Sequence, residues 1–236
     1  MQSFFDDTVL PVIRSSSILK ETAPLLDALD SSLSSLSELQ SIIVQYIVKV
    51  LADECLNHLK SANDIPRLYR RTNRDVPKTA SSYVSLAVNV LHDFKRKYVN
   101  ESRRDERAYE IIHNDCIRNA IDSICLRYQA IANDLLESVR KMEDSLRRLR
   151  KVRPDRSIAS NLSNLANQPT AQMSDDDKIR LQLHLDMVEF GNQLADRFDG
   201  YKGDSNYEAL FKLVDEINSQ LTNSNQSSNA ATIVNE

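Results

Sequence analysis

The sequence predicts an all-α fold, an elongated helical bundle or rod of about five to six helices. Three observations carry that prediction. Only 3 of the 236 residues are glycine and 6 are proline, far fewer breakers than sheet-rich, tightly turning folds use. Charged residues make up 27% of the chain against 41% hydrophobic, the balance of long solvated helices. Apolar side chains recur at three- and four-residue spacings along every extended segment, the period of a helix face.

The first element runs from Leu25 to Leu59, with Leu25, Leu29, Leu33, Leu36, Leu39, Ile43, Ile47, Val50 and Leu51 as one stripe that broadens in the middle. Such broadening marks a helix covered on several sides. Residues 42 to 51 are β-branched enough for a strand, but the flanks continue the helical spacing without a turn residue. Ser61 to Asp75 reads as a connector holding Pro66 and the basic string Arg67, Arg70, Arg71 and Arg74. Pro77 denies its predecessor the helical region and suits a first helical turn, so the next helix is expected to start there, with Tyr83, Ala87, Leu91, Phe94 and Tyr98 on one face.

A heptad seam follows. Ile117, Ile121, Ile124, Tyr128, Ile131, Leu135, Val139, Met142, Leu146 and Leu149 are separated by 4, 3, 4, 3, 4, 4, 3, 4 and 3, with one stutter at Leu135. Counted from Asp105 to Lys151 the helix has 47 residues, about 70 Å. That exceeds what a small globular core covers, so partner helices are expected alongside. Arg153-Pro154 ends it. Ser174-Asp175-Asp176-Asp177 then starts a helix, with a capping hydroxyl and three carboxylates at the positive dipole end. Ile179, Leu183, Met187, Phe190 and Leu194 form one stripe on it, and Leu181, Leu185 and Val188 a second. A last helix is expected from about Tyr207 to Leu221, after a turn at Gly200 and Gly203. The domain reading is residues 1–152 as a helical rod, 153–173 as a flexible linker, 174–222 as a C-terminal helical pair packing on the rod, and 223–236 as a disordered tail.

Chemistry is hard to find. His58, His92, His113 and His184 are isolated from one another, and Cys55, Cys116 and Cys125 form no C-x-x-C pair, so no metal site and no disulfide framework is expected. Phosphate-cradling and nucleophile-elbow motifs are absent, and three glycines could hardly build one. Asp175 to Asp177 reads as capping rather than cation binding. The expectation is no catalysis, no cofactor and no small-molecule substrate. The acidic N-terminus lacks the basic region of a signal peptide, and no apolar run is long enough to cross a membrane.

With 30 basic and 34 acidic side chains the net charge is −4, which offers nucleic acid no general attraction. The basic residues are local. Between Arg140 and Arg156 cations outnumber anions by five, and Arg147, Arg148, Arg150 and Lys151 form the densest part. Cations at a helix C-terminus oppose the negative dipole end, which accounts for the cluster as a solvated face. Contact with anionic lipid headgroups is the alternative. No aromatics are interleaved, so no base-stacking platform accompanies the charge.

Three stretches go further. Arg70-Arg71-Thr72-Asn73-Arg74-Asp75-Val76-Pro77-Lys78-Thr79-Ala80-Ser81-Ser82-Tyr83-Val84, Val139 to Leu149, and Met173-Ser174-Asp175-Asp176-Asp177-Lys178-Ile179-Arg180-Leu181-Gln182-Leu183 resemble, in that order, the C-terminal region of the family of subunit 2 of the conserved oligomeric Golgi complex. After Asp186, Met187-Val188-Glu189-Phe190 departs from that family's acidic-aromatic order. Members are several times longer, and the N-terminal coiled-coil region through which they are thought to assemble has no counterpart in this sequence.

The resemblance implies an all-helical, non-catalytic subunit of a vesicle tether, peripheral on the cytoplasmic face of the Golgi membrane and serving intra-Golgi retrograde transport. Its implied partners are the other subunits of the complex, with SNAREs, small GTPases and coiled-coil tethers beyond them. On this reading Arg71, Asn73, Arg74, Pro77 and Tyr83 form a candidate partner surface, with a loop-to-helix junction fixed by Pro77 as the structural alternative. An anionic-lipid-binding coiled-coil module is the competing function. A hydrolase or transferase, the third class, would require a deep pocket with convergent polar groups.

Overall fold

The computed structural model describes residues 23–70, 72, 74–99, 105–152, 173–198 and 205–233. Helices dominate and no strand occurs among them: an all-α helical bundle. Five helices are long, α1 (Ala23–Leu59), α3 (Ser82–Phe94), α5 (Asn119–Val152), α6 (Asp175–Arg197) and α7 (Ser205–Ile233), and two are single turns, α2 (Ile65–Tyr69) and α4 (Glu106–Glu110). The chain divides into two compact units, Met1–Val48 and Lys49–Glu236. That boundary falls within α1, whereas the sequence places one at the linker, residues 153–172 of which lie outside the described residues.

In the first unit the helix runs through a serine-rich stretch, where Ser32 and Ser35 donate their hydroxyls back to the carbonyls of Ala28 (2.8 Å) and Ser31 (2.9 Å). The apolar broadening at 42–47 does not mark burial. Leu36, Leu39, Ile42, Ile43 and Tyr46 are all exposed.

In the second unit burial begins at Leu51, Ala52, Cys55, Leu56 and Leu59. The expected connector is itself wound. A 3-10 segment, Lys60–Asp64, leads into α2, which takes Pro66 in its first turn, where no N–H is missed. Ala62, Ile65 and Tyr69 point inward from these turns, and their burial holds so short a stretch in helical form. The helix expected to start at Pro77 starts instead at Ser82, after an extended stretch. Ser81 is its N-cap but makes no capping bond from its side chain, because a tertiary partner holds that hydroxyl.

Asp105 caps α4, accepting from the N–H groups of Arg107 (3.1 Å) and Ala108 (3.2 Å). From there the chain is helical to Val152, as the heptad seam requires, but Ile111–Arg118 is π-helical. Cys116 and Ile117 in this stretch are buried just where the seam begins. The seam is buried at Ile117, Ile121, Ile124, Tyr128, Leu135 and Val139, then emerges, leaving Met142, Leu146 and Leu149 exposed.

Helix α6 packs against α2, α3, α5 and α7, and α7 also packs on α5. Its first stripe, Ile179 to Leu194, is wholly buried; the second, Leu181, Leu185 and Val188, is half-buried. Ser174 caps it as expected, accepting from Asp177 N–H at 3.1 Å. At the far end Lys95 donates to the Arg197 carbonyl (2.7 Å) and lies over the Phe198 ring, placing a cation on the negative dipole end. Helix α7 does not stop near Leu221. Its backbone is helical to Ile233, where a disordered tail was expected. No glycine or proline follows Gly203 to interrupt the ladder.

Candidate functional site: a polar clasp and the groove beside it

Tertiary structure gathers a row of polar residues that lies between the two apolar stripes of α6. Lys178, Gln182 and Asp186, one turn apart, are buried and face the chain that runs from α2 into α3. Asp186 is fully enclosed and accepts four hydrogen bonds. Oδ1 receives the Ser81 N–H (2.6 Å) and Gln182 Nε2 (2.8 Å); Oδ2 receives the Tyr83 hydroxyl (2.6 Å) and the Ser81 hydroxyl (3.0 Å). Gln182 also donates to the Thr79 carbonyl (3.0 Å) and accepts from the Tyr69 hydroxyl (2.7 Å). Lys178 Nζ donates to the Arg74 carbonyl (2.8 Å). The clasp therefore pins an extended stretch, which has no ladder of its own, by its backbone and its hydroxyls.

Burial pushes the Asp186 carboxyl above the usual carboxylate range, against the bonds from Tyr83, Ser81 and Gln182 that pull it down. Burial likewise drives the phenols of Tyr83 and Tyr128 far up, and the neighbouring Asp186 charge adds to it. Cys55 and Cys116 are buried thiols held at about 12 and about 11, chiefly by desolvation. The two thiols and two phenols therefore stay protonated near neutrality.

Next to the clasp lies an open groove of about 680 Å³. Pro66, Met142 and Leu146 form its apolar part; Asn63, Arg67, Arg70, Asp175 and Asp176 supply the polar rim. Arg70 pairs with Asp176 at 3.5 Å, and Arg180 bridges α5 and α6 through Glu143 (2.8 Å) and Asp177 (3.2 Å). Desolvation raises the Asp176 carboxyl even beside the Arg70 charge.

Of the candidate partner surface, Arg74 is exposed and Pro77 half-buried, while Tyr83 is an interior residue that bonds Asp186 and cannot face a partner. Arg71 and Asn73 lie outside the described residues. Arg148 is exposed near the end of α5; the side chains of Arg147, Arg150 and Lys151 lie outside the described residues. Asp175, Asp176 and Asp177 pair with Lys178, Arg70 and Arg180. Among the described residues no cluster of histidine, cysteine and carboxylate is placed to hold a metal, and no helix is long and apolar enough to cross a membrane. Sequence reasoning passed over Gln182 and Asp186. The available signal was a polar row at four-residue spacing between two apolar stripes, which must be buried if both stripes are covered.

These features define an all-helical module in which a buried polar clasp joins helices and an open groove lies beside it. The chain belongs to the family described as COG complex component, COG2, C-terminal, whose model matches residues 1–187. It is 35% identical over 206 residues to conserved oligomeric Golgi complex subunit 2 of Homo sapiens, covering 86% of this chain and 26% of that protein. To the subunit 2 of Drosophila melanogaster it is 34% identical, over 78% of this chain and 25% of that protein. The Arabidopsis thaliana subunit 2 is 27% identical, over 68% and 20%. The chain thus spans about a quarter of the length of the curated relatives it matches. No solved structure matches it significantly.

Proposed function

We propose that this chain acts as part of a non-catalytic subunit of the Golgi vesicle-tethering complex, serving intra-Golgi retrograde transport and Golgi organisation through protein–protein contacts. The observation that carries this reading is the meeting of three separated blocks. Arg70, Met142 with Leu146, and Asp175 with Asp176 come from the three stretches that resemble the family, and together they border one open groove. Polar groups around it pair with one another rather than converge on a reacting centre. Other subunits of the complex are the first partners; SNAREs, small GTPases and coiled-coil tethers are further ones. Arg74, Pro77 and the groove are the contact surface, at the cytoplasmic face of the Golgi membrane. Linked weak contacts of this kind gain strength from high effective concentration.

The test is co-purification of a tagged copy from cells with mass spectrometry. Recovery of the other Golgi-complex subunits is the expected result, and their complete absence would overturn the reading. Flotation with anionic vesicles covers the lipid alternative. A variant with Arg147, Arg148, Arg150 and Lys151 changed to Glu is expected to keep its protein partners. If it loses both vesicle binding and partners, lipid contact is the primary function.

A further inference from the structure

We propose that the clasp is the positioning element of the groove: Tyr69 and Lys178, which do not line it, fix α2 against α6 and so hold its walls ready for a partner. The partner half of this inference rests on the tethering reading, and the fixing of α2 stands without it. Helix α2 and the residue after it supply Pro66, Arg67 and Arg70 to the groove, α6 supplies Asp175 and Asp176, and α5 supplies Met142 and Leu146. The ion pair across the groove, Arg70 with Asp176, is 3.5 Å long with side chains 27% and 19% exposed, too long and too solvated to fix a wall. With five residues, α2 is too short to hold its own form or angle.

The stronger ties come from behind. Tyr69, one residue before Arg70 and one turn after Pro66, is buried and donates its hydroxyl to Gln182 Oε1 at 2.7 Å. The Gln182 amide has no freedom to turn, because its Nε2 faces three oxygens: the Thr79 carbonyl (3.0 Å), the Ser81 hydroxyl (3.2 Å) and Asp186 Oδ1 (2.8 Å). Its carbonyl oxygen is thereby aimed at Tyr69. Rolling α2 about its axis would swing Pro66 and Arg70 out of the groove wall. It would also break this bond and leave a buried carbonyl oxygen without a donor. Lys178, its side chain only 3% exposed, makes the second tie: Nζ donates to the Arg74 carbonyl at 2.8 Å and lies 3.9 Å from Asp175 on the groove. The polar row of α6 therefore grips the chain at Tyr69 and again at Arg74.

Amide hydrogen exchange of the purified chain, read beside co-purification of the tagged protein, is the test. The reporter is the Arg70 amide, which donates to the Pro66 carbonyl at 3.0 Å and opens when α2 loosens. Tyr69→Phe keeps the buried ring and removes the bond to Gln182. It is expected to speed exchange at Arg70 about tenfold or more, while the amides of α5 stay within about twofold of wild type. Recovery of the other Golgi-complex subunits is expected to fall about tenfold. Lys178→Met, which keeps the apolar stem, is expected to act in the same direction and carries the test if Tyr69→Phe does not fold. Unchanged exchange at Arg70 would overturn the proposal. So would exchange that rises equally in α2 and α5, the mark of general destabilisation. Fast exchange at Arg70 with full recovery of the subunits would overturn its partner half. If the wild type itself recovers no subunits, the tethering reading falls, and the exchange comparison alone decides whether the clasp fixes α2.

Discussion

Asp186 illustrates how a single side chain can hold two distant parts of a chain at a net electrostatic cost. Its carboxylate satisfies the Ser81 N–H, two hydroxyls and an amide, and the carboxylate itself is fully buried. Truncation in Asp186→Ala strands those donors, and each buried orphan costs about 1–3 kcal/mol, so a loss of about 2–4 kcal/mol in urea unfolding is expected. Asp186→Asn is expected to cost about 1 kcal/mol or less, because Tyr83 and Ser81 present hydroxyls that can rotate to accept from the new amide. The same pair of proteins reports pH. With its folded pKa raised, Asp186 holds a proton more tightly in the folded state than in the unfolded chain. Wild-type stability relative to Asp186→Asn should be pH-independent well below about pH 4, fall as pH climbs through the raised value, and then level off. A difference that rises with pH would mean that the hydrogen bonds outweigh desolvation. At this scale the sequence was only partly legible. Cap residues such as Ser174 announce themselves locally, whereas the partner of Tyr83 is a carboxylate 103 residues away.

At the scale of elements, packing overrode local preference in identifiable places. Pro77 permits a helix start, but the clasp keeps the chain extended to Ser81, so α3 begins where tertiary bonds release it. The π-helical stretch before α5 has no signature in apolar spacing, since a widened turn leaves the residue types unchanged. The packing of α7 on α6 depends on a missing side chain. A Cβ at Gly191 would sit 1.8 Å from Phe211 Cζ, so the ring occupies the space that any other residue would fill. Gly191→Ala is expected to destabilise by about 1–3 kcal/mol through overpacking. Adding Phe211→Ala should then cost less than the two single changes predict, because the clash disappears with the ring. Additive effects in thermal melts would place Phe211 elsewhere. The start of α6 at its Ser174 cap and the helical course of the seam to Val152 were readable from capping chemistry and spacing.

For the molecule as a whole, composition and periodicity were sufficient for the all-α class, since few breakers and a sustained 3–4 pattern admit little else. The surface was less legible. The apolar residues 36 to 46 read as a covered stripe and 142 to 149 as a seam lying along partner helices, because spacing cannot tell a covered stripe from an open one; Leu36, Leu39, Ile42, Ile43, Tyr46, Met142, Leu146 and Leu149 stand exposed. The groove was invisible in sequence because its walls come from three blocks between Asn63 and Asp176 that only folding unites. Its role in partner capture is therefore the claim on which the functional account stands. Co-purification of the tagged wild type beside Met142→Glu/Leu146→Glu tests it most directly. The account predicts that the variant loses the other Golgi-complex subunits at least tenfold, about 1.4 kcal/mol of contact, while its melting temperature stays unchanged because both side chains are already exposed. Equal recovery of those subunits by the two proteins would contradict it.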